Sequence, residues 1–322
     1  MNRIPDRCGG CHAVDSRGPW DEVIGQDGAP YGLVRCTICE LVAVAPSPSG
    51  EFLQAFYEAY DDSSKSKEGV VQWDLRTANR AVLEDYRERL GLVMGYAPGP
   101  ASPKRVLDVG CSFGFFLSAA KGEGLEAVGV DVDERAMTAG REQLGLDLRK
   151  GDVYALDEAD LGTFDIATLW MTLEHLAEPL DAIVAMSGLL NKDGLFACSV
   201  PNLGGITARL TGRSWRHMIP PEHLNFFTET SMRNLLESAG LEPLFVGSIR
   251  LHAAPAFSFA TRKRLMDWAH ASGSDALQKA ARVVQRALTL IKRHVVYGLM
   301  NAAILGLGLG GDGLFVVARR CR

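Results

Sequence analysis

An apolar run, a glycine turn and the start of a helix follow one another at residues 106–116 (VLDVGCSFGFF) of this 322-residue chain. The apolar run at 106–109 is short and rich in valine, which is typical of a buried parallel strand. Gly110 and Gly114 leave room for a ligand to lie against the backbone, and a helix beginning at Phe115 offers unpaired N–H groups. The segment therefore predicts a nucleotide-like cofactor site at the end of a strand.

The glycine spacing distinguishes between cofactor classes. A dinucleotide fingerprint (G-x-G-x-x-G) that started at Gly110 would need glycines where this chain has Ser112 and Phe115. A pyrophosphate would be poorly accommodated by those side chains. The segment instead resembles the first motif of class I S-adenosylmethionine-dependent methyltransferases, whose glycine turn faces the methionine part of the cofactor.

Two further strand–helix units extend this resemblance. The apolar run at 125–130 ends in Asp131, and a carboxylate at the tip of a second strand can accept both ribose hydroxyls of an adenosyl group. The alternative is that Asp131 caps the helix that starts near Glu134. The next strand, at 146–149, leads into Asp152, to which the resemblance assigns the adenine amino group.

The remaining apolar runs complete a pattern of alternating strands and helices. We expect strands at 164–170, 194–200 and 241–249, and a last, antiparallel one at 314–319. This alternation predicts a doubly wound, Rossmann-like α/β fold with a mostly parallel seven-stranded sheet and ligands at the carboxyl ends of the strands. The resemblance covers roughly residues 80–250.

The implied cofactor is S-adenosylmethionine. The resemblance places its binding residues in the glycine turn and at the ends of the neighbouring strands: Asp108, Gly110, Cys111, Ser112, Gly114, Asp131, Asp152, Val153 and Trp170.

Four of the seven cysteines form two C-x-x-C pairs, Cys8 with Cys11 and Cys36 with Cys39. This is the spacing of a zinc ribbon, in which four thiolates close a tetrahedral structural Zn²⁺ site. The alternative is a set of disulfides or buried free thiols. Because the chain starts without an apolar leader, we expect a cytoplasmic protein with reduced thiols.

Shifts in composition along the chain predict three regions. Residues 1–45 form the zinc ribbon, and residues 46–103 form a helical linker or lid region. Residues 104–322 form the methyltransferase domain, with a helical insert at 250–312.

The ribbon and the linker together carry a second resemblance. A cysteine-knuckle ribbon followed by Pro-x-Pro and paired tyrosines is similar to bacterial methyltransferases of sugar-nucleotide and natural-product pathways, including sugar C-methyltransferases. Those enzymes place a tyrosine from this region against the substrate, which makes Tyr57 and Tyr60 the candidates here. The alternative is that both belong to an amphipathic helix that packs on the main domain.

Two Glu-His pairs are the candidate catalytic residues. Glu174 and His175 follow the strand at 164–170, and Glu222 and His223 lie in a Pro-Glu-His-Leu-x-Phe-Phe-Thr string. The same relatives carry this string, with its Glu and His facing the substrate. The interpretation is that His223 is the general base, Glu222 fixes its loop, His175 is the second candidate and Glu174 faces the substrate. The alternative is a structural role for each histidine.

The predicted function is methyl transfer to a hydroxyl, amine or carbon of a sugar, glycan or secondary-metabolite acceptor. The alternatives are a zinc-ribbon RNA methyltransferase and a non-catalytic, cofactor-binding scaffold. A formal net charge of −5 argues against a nucleic-acid partner. In the insert, an apolar run at 295–309 is shorter than the ~20 residues of a membrane span, so a packed lid is expected and peripheral membrane contact is the alternative. No feature specifies an oligomeric state.

Overall fold

The computed structural model describes residues 7–53, 55–56, 80–97, 104–249 and 310–321. The elements that build the fold are β1 (Arg17–Ile24), β2 (Pro30–Cys36), β3 (Val42–Val44), α1 (Arg80–Met94), β4 (Arg105–Val109), α2 (Phe115–Gly122), β5 (Glu126–Asp131), α3 (Glu134–Leu144), β6 (Asp147–Lys150), α4 (Glu158–Leu161), β7 (Phe164–Trp170), α5 (Pro179–Gly188), β8 (Leu190–Pro201), α6 (Ile206–Thr211), β9 (Asn225–Phe226), α7 (Glu229–Ser238), β10 (Leu241–Ile249) and β11 (Gly313–Arg320).

Seven strands form the main sheet, in the order β10-β11-β8-β7-β4-β5-β6. Neighbouring strands from β8 to β6 pair in parallel, and β11 lies antiparallel between β8 and β10. The predicted doubly wound α/β fold is therefore confirmed. The largest difference in a predicted boundary is at β8, which begins four residues before position 194, because the polar segment that follows Leu190 hides the pairing of Leu190 with Phe164.

The two faces of the main sheet are covered by different parts of the chain. On one face, Tyr86 and Leu90 of α1 pack with Phe116 of α2 and with Trp170 and Phe315 of the sheet. On the other face, α5 and α7 pack together with the cysteine knuckles of the ribbon. Each fully buried large apolar side chain stabilises the fold by ~1.5–3 kcal/mol relative to an exposed one. The ribbon therefore shares a hydrophobic core with the main sheet.

A second, four-stranded sheet has the order β1-β2-β3-β9. Its first three strands come from the ribbon, and β3 pairs antiparallel with β9, which joins Val42 to Phe226 and Ala43 to Asn225. The structure shows that the last residues of the predicted ribbon form β3. The sheet thus crosses from the ribbon into the segment that follows the second Glu-His pair.

Two expectations concern segments outside the described residues. The insert at 250–312 is described only at its last three residues, so the lid and its membrane-contact alternative stay predictions. Within the ranges that are described, no helix is both long enough and apolar enough to cross a membrane.

Candidate active site

The glycine turn after β4 uses backbone conformations that favour glycine. Gly110 adopts φ +71°, and a Cβ atom there would lie 2.4 Å from Oγ1 of Thr172, in the loop after β7. Gly114 adopts φ +80° at the start of α2, and a Cβ atom there would lie 2.5 Å from Cδ1 of Leu146. Any larger residue would clash at either position, besides being strained in this backbone region. Both glycines are therefore required by the fold of the turn.

Asp131 lies at the end of β5, directly beside this turn. Its carboxylate accepts hydrogen bonds from the backbone N–H of Ser112 at 2.7 Å and of Asp133 at 2.8 Å. The cap of α3 is Asp133, which accepts from Arg135 and Ala136, so the helix-cap alternative for Asp131 is wrong.

An exposed valine next to Asp131 is a candidate that the sequence interpretation missed. Val132 has 69% of its surface exposed at the carboxyl edge of the sheet. An apolar side chain in that position offers a flat ring a hydrophobic contact. Its position between two aspartates, at the end of an apolar strand, was the available signal.

The strand pairing brings Asp152 to the same edge. Asp131 pairs with Lys150 across β5 and β6, so Asp152 lies two residues beyond the pair. The Asp152 carboxylate accepts from the N–H of Tyr154 at 3.0 Å, and the adjacent Val153 is buried. The predicted ribose and adenine residues thus lie at and just beyond the ends of two neighbouring strands.

Asp108 is a buried carboxylate in β4. The hydroxyl of Thr168 donates to it at 2.7 Å. Burial raises the pKa of Asp108 to about 8, the hydrogen bond from Thr168 opposes this shift, and the charge of Asp131 adds to it. A cationic group bound nearby would favour the ionised form.

Two further predicted cofactor residues lie close to this edge. Cys111 is buried, and burial, together with the charges of Asp108 and Asp131, raises the pKa of its thiol, so the thiol is inert as a nucleophile. Trp170 is buried at the end of β7, with its ring 5.5 Å from the guanidinium of Arg89. Its indole N–H has no hydrogen-bond partner among the residues that the structure describes.

The two predicted histidines are in contact, although they lie in separate loops. Their rings meet edge to face, with centroids 4.8 Å apart. Nδ1 of His175 lies 2.8 Å from the carbonyl oxygen of Glu222, and Nδ1 of His223 lies 2.9 Å from that of His217. Because a carbonyl oxygen can only accept, each Nδ1 carries the proton in the neutral ring, and each Nε2 carries the lone pair.

The two glutamates play different parts in this arrangement. Glu174 is fully buried, and neither of its carboxylate oxygens has a hydrogen-bond partner in the described ranges. Its Oε1 lies 4.0 Å from Nε2 of His175, and burial raises its pKa to about 8. The Glu222 carboxylate instead accepts from Nε2 of Gln26, in the ribbon, at 2.7 Å. Glu174 is therefore the buried carboxylate beside the histidines, whereas Glu222 acts on His175 through its charge, which raises the pKa of that ring.

Exposure separates the two histidines. The His175 side chain is 25% exposed, whereas His223 is 4% exposed. Burial lowers the pKa of both, and that of His223 falls to about 3, with the charge of His175 contributing. Both rings are therefore neutral near pH 7. The substrate candidates Tyr57 and Tyr60 lie outside the described residues.

Backbone hydrogen bonds tie the ribbon to the histidine loops. The N–H of Val44 in β3 donates to the carbonyl of Leu224 at 2.9 Å, and the N–H of Leu224 donates to the carbonyl of Glu174 at 2.8 Å. The Asn225 side chain donates to the carbonyl of Leu176 at 2.6 Å. The ribbon strand, the second Glu-His pair and the first are thus joined in one ladder.

The four predicted zinc ligands converge. The sulfur atoms lie within 4.8 Å of one another, with Cys8 to Cys39 at 3.6 Å and Cys11 to Cys36 at 3.7 Å. Backbone N–H groups point at the sulfurs from Gly10 to Cys8, and from Ile38 and Cys39 to Cys36, each at 3.4 Å. No disulfide links these cysteines in the structure.

Comparison with known proteins identifies the family of the main domain. A family model described as "Methyltransferase domain" matches residues 76–245, just over half of the chain. The chain belongs to this family. The methyltransferase domain is of the class I, S-adenosylmethionine-dependent kind that the sequence resembles.

The curated relatives match about half of this chain. The ubiquinone biosynthesis O-methyltransferase of Cereibacter sphaeroides is 30% identical over 158 residues, which are 46% of this chain and 64% of the relative. That of Thiobacillus denitrificans is 26% identical over 156 residues, 44% of this chain and 66% of the relative. The match thus spans less than two thirds of the length of these relatives.

Solved structures also resemble the chain. A SAM-dependent methyltransferase from Archaeoglobus fulgidus superposes with a TM-score of 0.46 and 17% identity, covering 81% of this chain and 99% of the other. The plantazolicin methyltransferase BpumL in complex with SAH has a TM-score of 0.48 and 13% identity, covering 85% and 92%.

The methyltransferase domain offers suitable groups for S-adenosylmethionine. Asp131 presents a carboxylate at the neighbouring strand end, and the buried Asp108 is a suitable partner for a cationic amino group. The residues present therefore fit this cofactor.

Proposed function

We propose that this chain transfers a methyl group from S-adenosylmethionine to a hydroxyl group of a small molecule, with a histidine as general base. The observation that carries this proposal is the close approach of Thr172 to Gly110. Because of that contact, the loop that bears His175 borders the glycine turn. A base in this loop is well placed to reach an acceptor bound next to the cofactor.

The strand ends would hold the cofactor. Asp131 would accept the ribose hydroxyls, Asp152 the adenine amino group, and Asp108 would pair with the amino group of the methionine part. Val132 and Val153 would contact the adenine ring. When bound, the cofactor supplies an electrophilic methyl group, so the work of the protein is to orient the acceptor and remove its proton.

Orientation and proton removal contribute on different scales. Holding the acceptor at near-attack distance lowers the barrier by ~7–11 kcal/mol. A positioned base adds ~10²–10⁴-fold. The sequence favours His223 as the base, but exposure favours His175, because the imidazole that meets the acceptor must reach the cleft. We assign proton removal to Nε2 of His175, and to His223 the role of holding the His175 ring.

The acceptor class is taken from two likenesses. The relatives named above are O-methyltransferases, and the ribbon resembles that of sugar and natural-product methyltransferases. Both are compatible with a hydroxyl acceptor, and an imidazole that is neutral near pH 7 suits hydroxyl deprotonation.

Labelled methyl transfer tests this proposal. The purified chain is incubated with ¹³C-methyl S-adenosylmethionine and a panel of hydroxylated sugar nucleotides, natural products and ubiquinone precursors. We expect an O-methyl carbon signal in one acceptor class. Label on nitrogen or carbon would correct the acceptor atom. Cofactor binding without transfer to any acceptor would support the scaffold alternative.

We further infer that Cys8, Cys11, Cys36 and Cys39 hold one structural Zn²⁺. In a tetrahedral site with Zn–S bonds of ~2.3 Å, the sulfur atoms lie ~3.8 Å apart. The distances of 3.6 Å between the sulfurs of Cys8 and Cys39 and of 3.7 Å between those of Cys11 and Cys36 are close to this value and support the inference. The N–H groups that point at Cys8 and Cys36 stabilise thiolates. Four thiolates leave no position for water, so this zinc would have no catalytic part.

A further inference from the structure

Among the residues that the structure describes, no hydrogen-bond partner explains the burial of the Glu174 carboxylate. Its side chain is fully buried, and both of its carboxylate oxygens lack a hydrogen-bond partner within the described part of the chain. A buried carboxyl group without donors is strongly unfavourable for folding when it is ionised. Such a group can be buried if it holds a proton or if a positively charged group binds beside it.

Two imidazoles lie close to the Glu174 carboxylate. The carboxylate and one nitrogen of each ring all lie within 4.8 Å of one another. Both Nδ1 atoms donate to backbone carbonyls, so Nε2 is the basic nitrogen of each neutral ring. If Glu174 were ionised, its carboxylate and the two Nε2 atoms would be three hydrogen-bond acceptors with no proton between them. One proton among the three groups removes this conflict.

We propose that Glu174, His175 and His223 form a single unit that holds one proton, and that the Glu174 carboxylate balances the imidazolium formed during methyl transfer. This role rests on the proposed function. Glu174 acts through the histidines, so it is a positioning residue rather than one that touches the acceptor. The raised pKa of Glu174 and the lowered pKa values of both histidines agree with a single proton near pH 7.

The charges balance in the reaction that this unit would assist. Once the unit has released its shared proton to solvent through the partly exposed His175, it carries one negative charge. The acceptor oxygen then bonds to the methyl carbon, the carbon–sulfur bond breaks with its electron pair moving to sulfur, and the acceptor proton moves to Nε2 of His175. The sulfonium charge is lost, and the unit becomes neutral. Without Glu174, the same step would leave an uncompensated imidazolium in a buried site.

Several ionisable groups face this unit, and one of them is a rival. The groups are the Glu222 carboxylate, the Cys198 thiol on β8, the His217 ring stacked on His223, and Arg216 and Asp312, which act on His217. Glu222 is the rival because its charge raises the pKa of His175, opposing burial. A test must therefore separate Glu174 from Glu222.

An NMR titration without cofactor or acceptor makes this separation. We expect the Glu174 carboxyl carbon and a ring nitrogen of His175 or His223 to titrate in one shared step near pH 8. In Glu174→Gln, the ring step should vanish, and both imidazoles should stay neutral to a pH at least one unit lower, a tenfold change in proton affinity. Glu222→Gln should keep the shared step. Glu178→Gln is the matched control, since this half-exposed carboxylate lies in the same loop beside Arg7.

Thermal unfolding gives a second readout. Because the folded-state pKa of Glu174 lies above its ordinary value, the protein loses stability as the pH rises from that value toward about 8. Glu174→Gln should therefore unfold at a higher temperature than wild type at pH 8, and the difference should shrink toward pH 4.5. If Glu174 had only a structural role, its replacement by glutamine would not raise the unfolding temperature.

Three results would overturn the proposal. One is a Glu174 titration to which neither ring responds, and another is unchanged ring titrations in Glu174→Gln. The third is tight binding of Mn²⁺ or Zn²⁺ alone at these three residues, detected with the cysteine site already filled and lost in Glu174→Gln. None of these results depends on methyl transfer, so a failed acceptor screen would leave this test intact.

Discussion

The glycine turn and the histidine unit lie on the same edge of the sheet but are built in different ways. The turn uses residues close in sequence, where Gly110, Ser112 and Asp131 belong to one strand–helix–strand unit. The histidine unit is assembled from the loop after β7 and the proline-rich loop before β9, and the ribbon holds both. The cofactor site should therefore tolerate changes in the ribbon, and the histidine unit should not.

Removal of a candidate zinc ligand should give the largest difference in effect between the histidine unit and the glycine turn. In Cys36→Ser, we expect the metal to be lost and β3 to release Leu224 and with it the Glu174 backbone. Turnover should fall by ~10²–10⁴-fold, the contribution of a positioned base. Affinity for S-adenosylhomocysteine should stay within about twofold of wild type, because Asp131 holds the glycine turn through the N–H of Ser112, within the methyltransferase domain.

Metal analysis, calorimetry and turnover measure these three effects. Protein purified without added zinc should contain about one equivalent per chain. Cys321→Ser is the control, since this cysteine is exposed at the far end of β11. A zinc-free variant with wild-type turnover would show that the histidine loops hold their geometry without the ribbon.

Exchange of the histidines should separate the base from its support. We expect His175→Gln to lower turnover by ~10² or more with cofactor affinity unchanged, because the lost interaction acts on proton transfer. His223→Gln should have a smaller effect, since its buried ring only holds that of His175. His12→Gln, in a ribbon residue paired with Asp181, serves as the control. The reverse order of effects would restore His223 as the base.

The sequence predicts the first region far better than the second. The strand, the glycine spacing and Asp131 are read from short-range patterns, and the parallel sheet then places them together. The pairing of Val42 with Phe226 leaves no local signal, because a three-residue strand and a two-residue strand have no measurable periodicity. The different roles of Glu174 and Glu222 depend on the burial of Glu174 and on the hydrogen bond that Gln26 donates to Glu222. Neither feature can be read from the spacing of residues in the sequence.

Asp131→Ala tests the locally built region. Loss of the hydrogen bonds from this carboxylate to the ribose should weaken S-adenosylhomocysteine binding by ~1.5–3 kcal/mol, about 10–150-fold. Turnover at saturating cofactor should change less, because the histidine unit is untouched. Asp147→Ala is the control, in a carboxylate paired with Arg149 at the start of β6. Calorimetry that shows NAD binding in place of S-adenosylhomocysteine would contradict the cofactor assignment.

The smallest expected effect comes from Asn225, which joins the two loops of the histidine unit without belonging to it. Its side-chain N–H donates to the Leu176 carbonyl at 2.6 Å in a buried position. Asn225→Ala leaves that carbonyl unsatisfied, so the free energy of unfolding should fall by ~1–3 kcal/mol. If the ladder positions the histidines cooperatively, turnover should also fall, by less than in either histidine variant, while cofactor affinity stays constant. Chemical denaturation and steady-state kinetics on one preparation measure both quantities. A stability loss with unchanged turnover would mean that the backbone hydrogen bonds of Leu224 are enough to hold the histidine unit. The ribbon would then position the histidines through Leu224 alone.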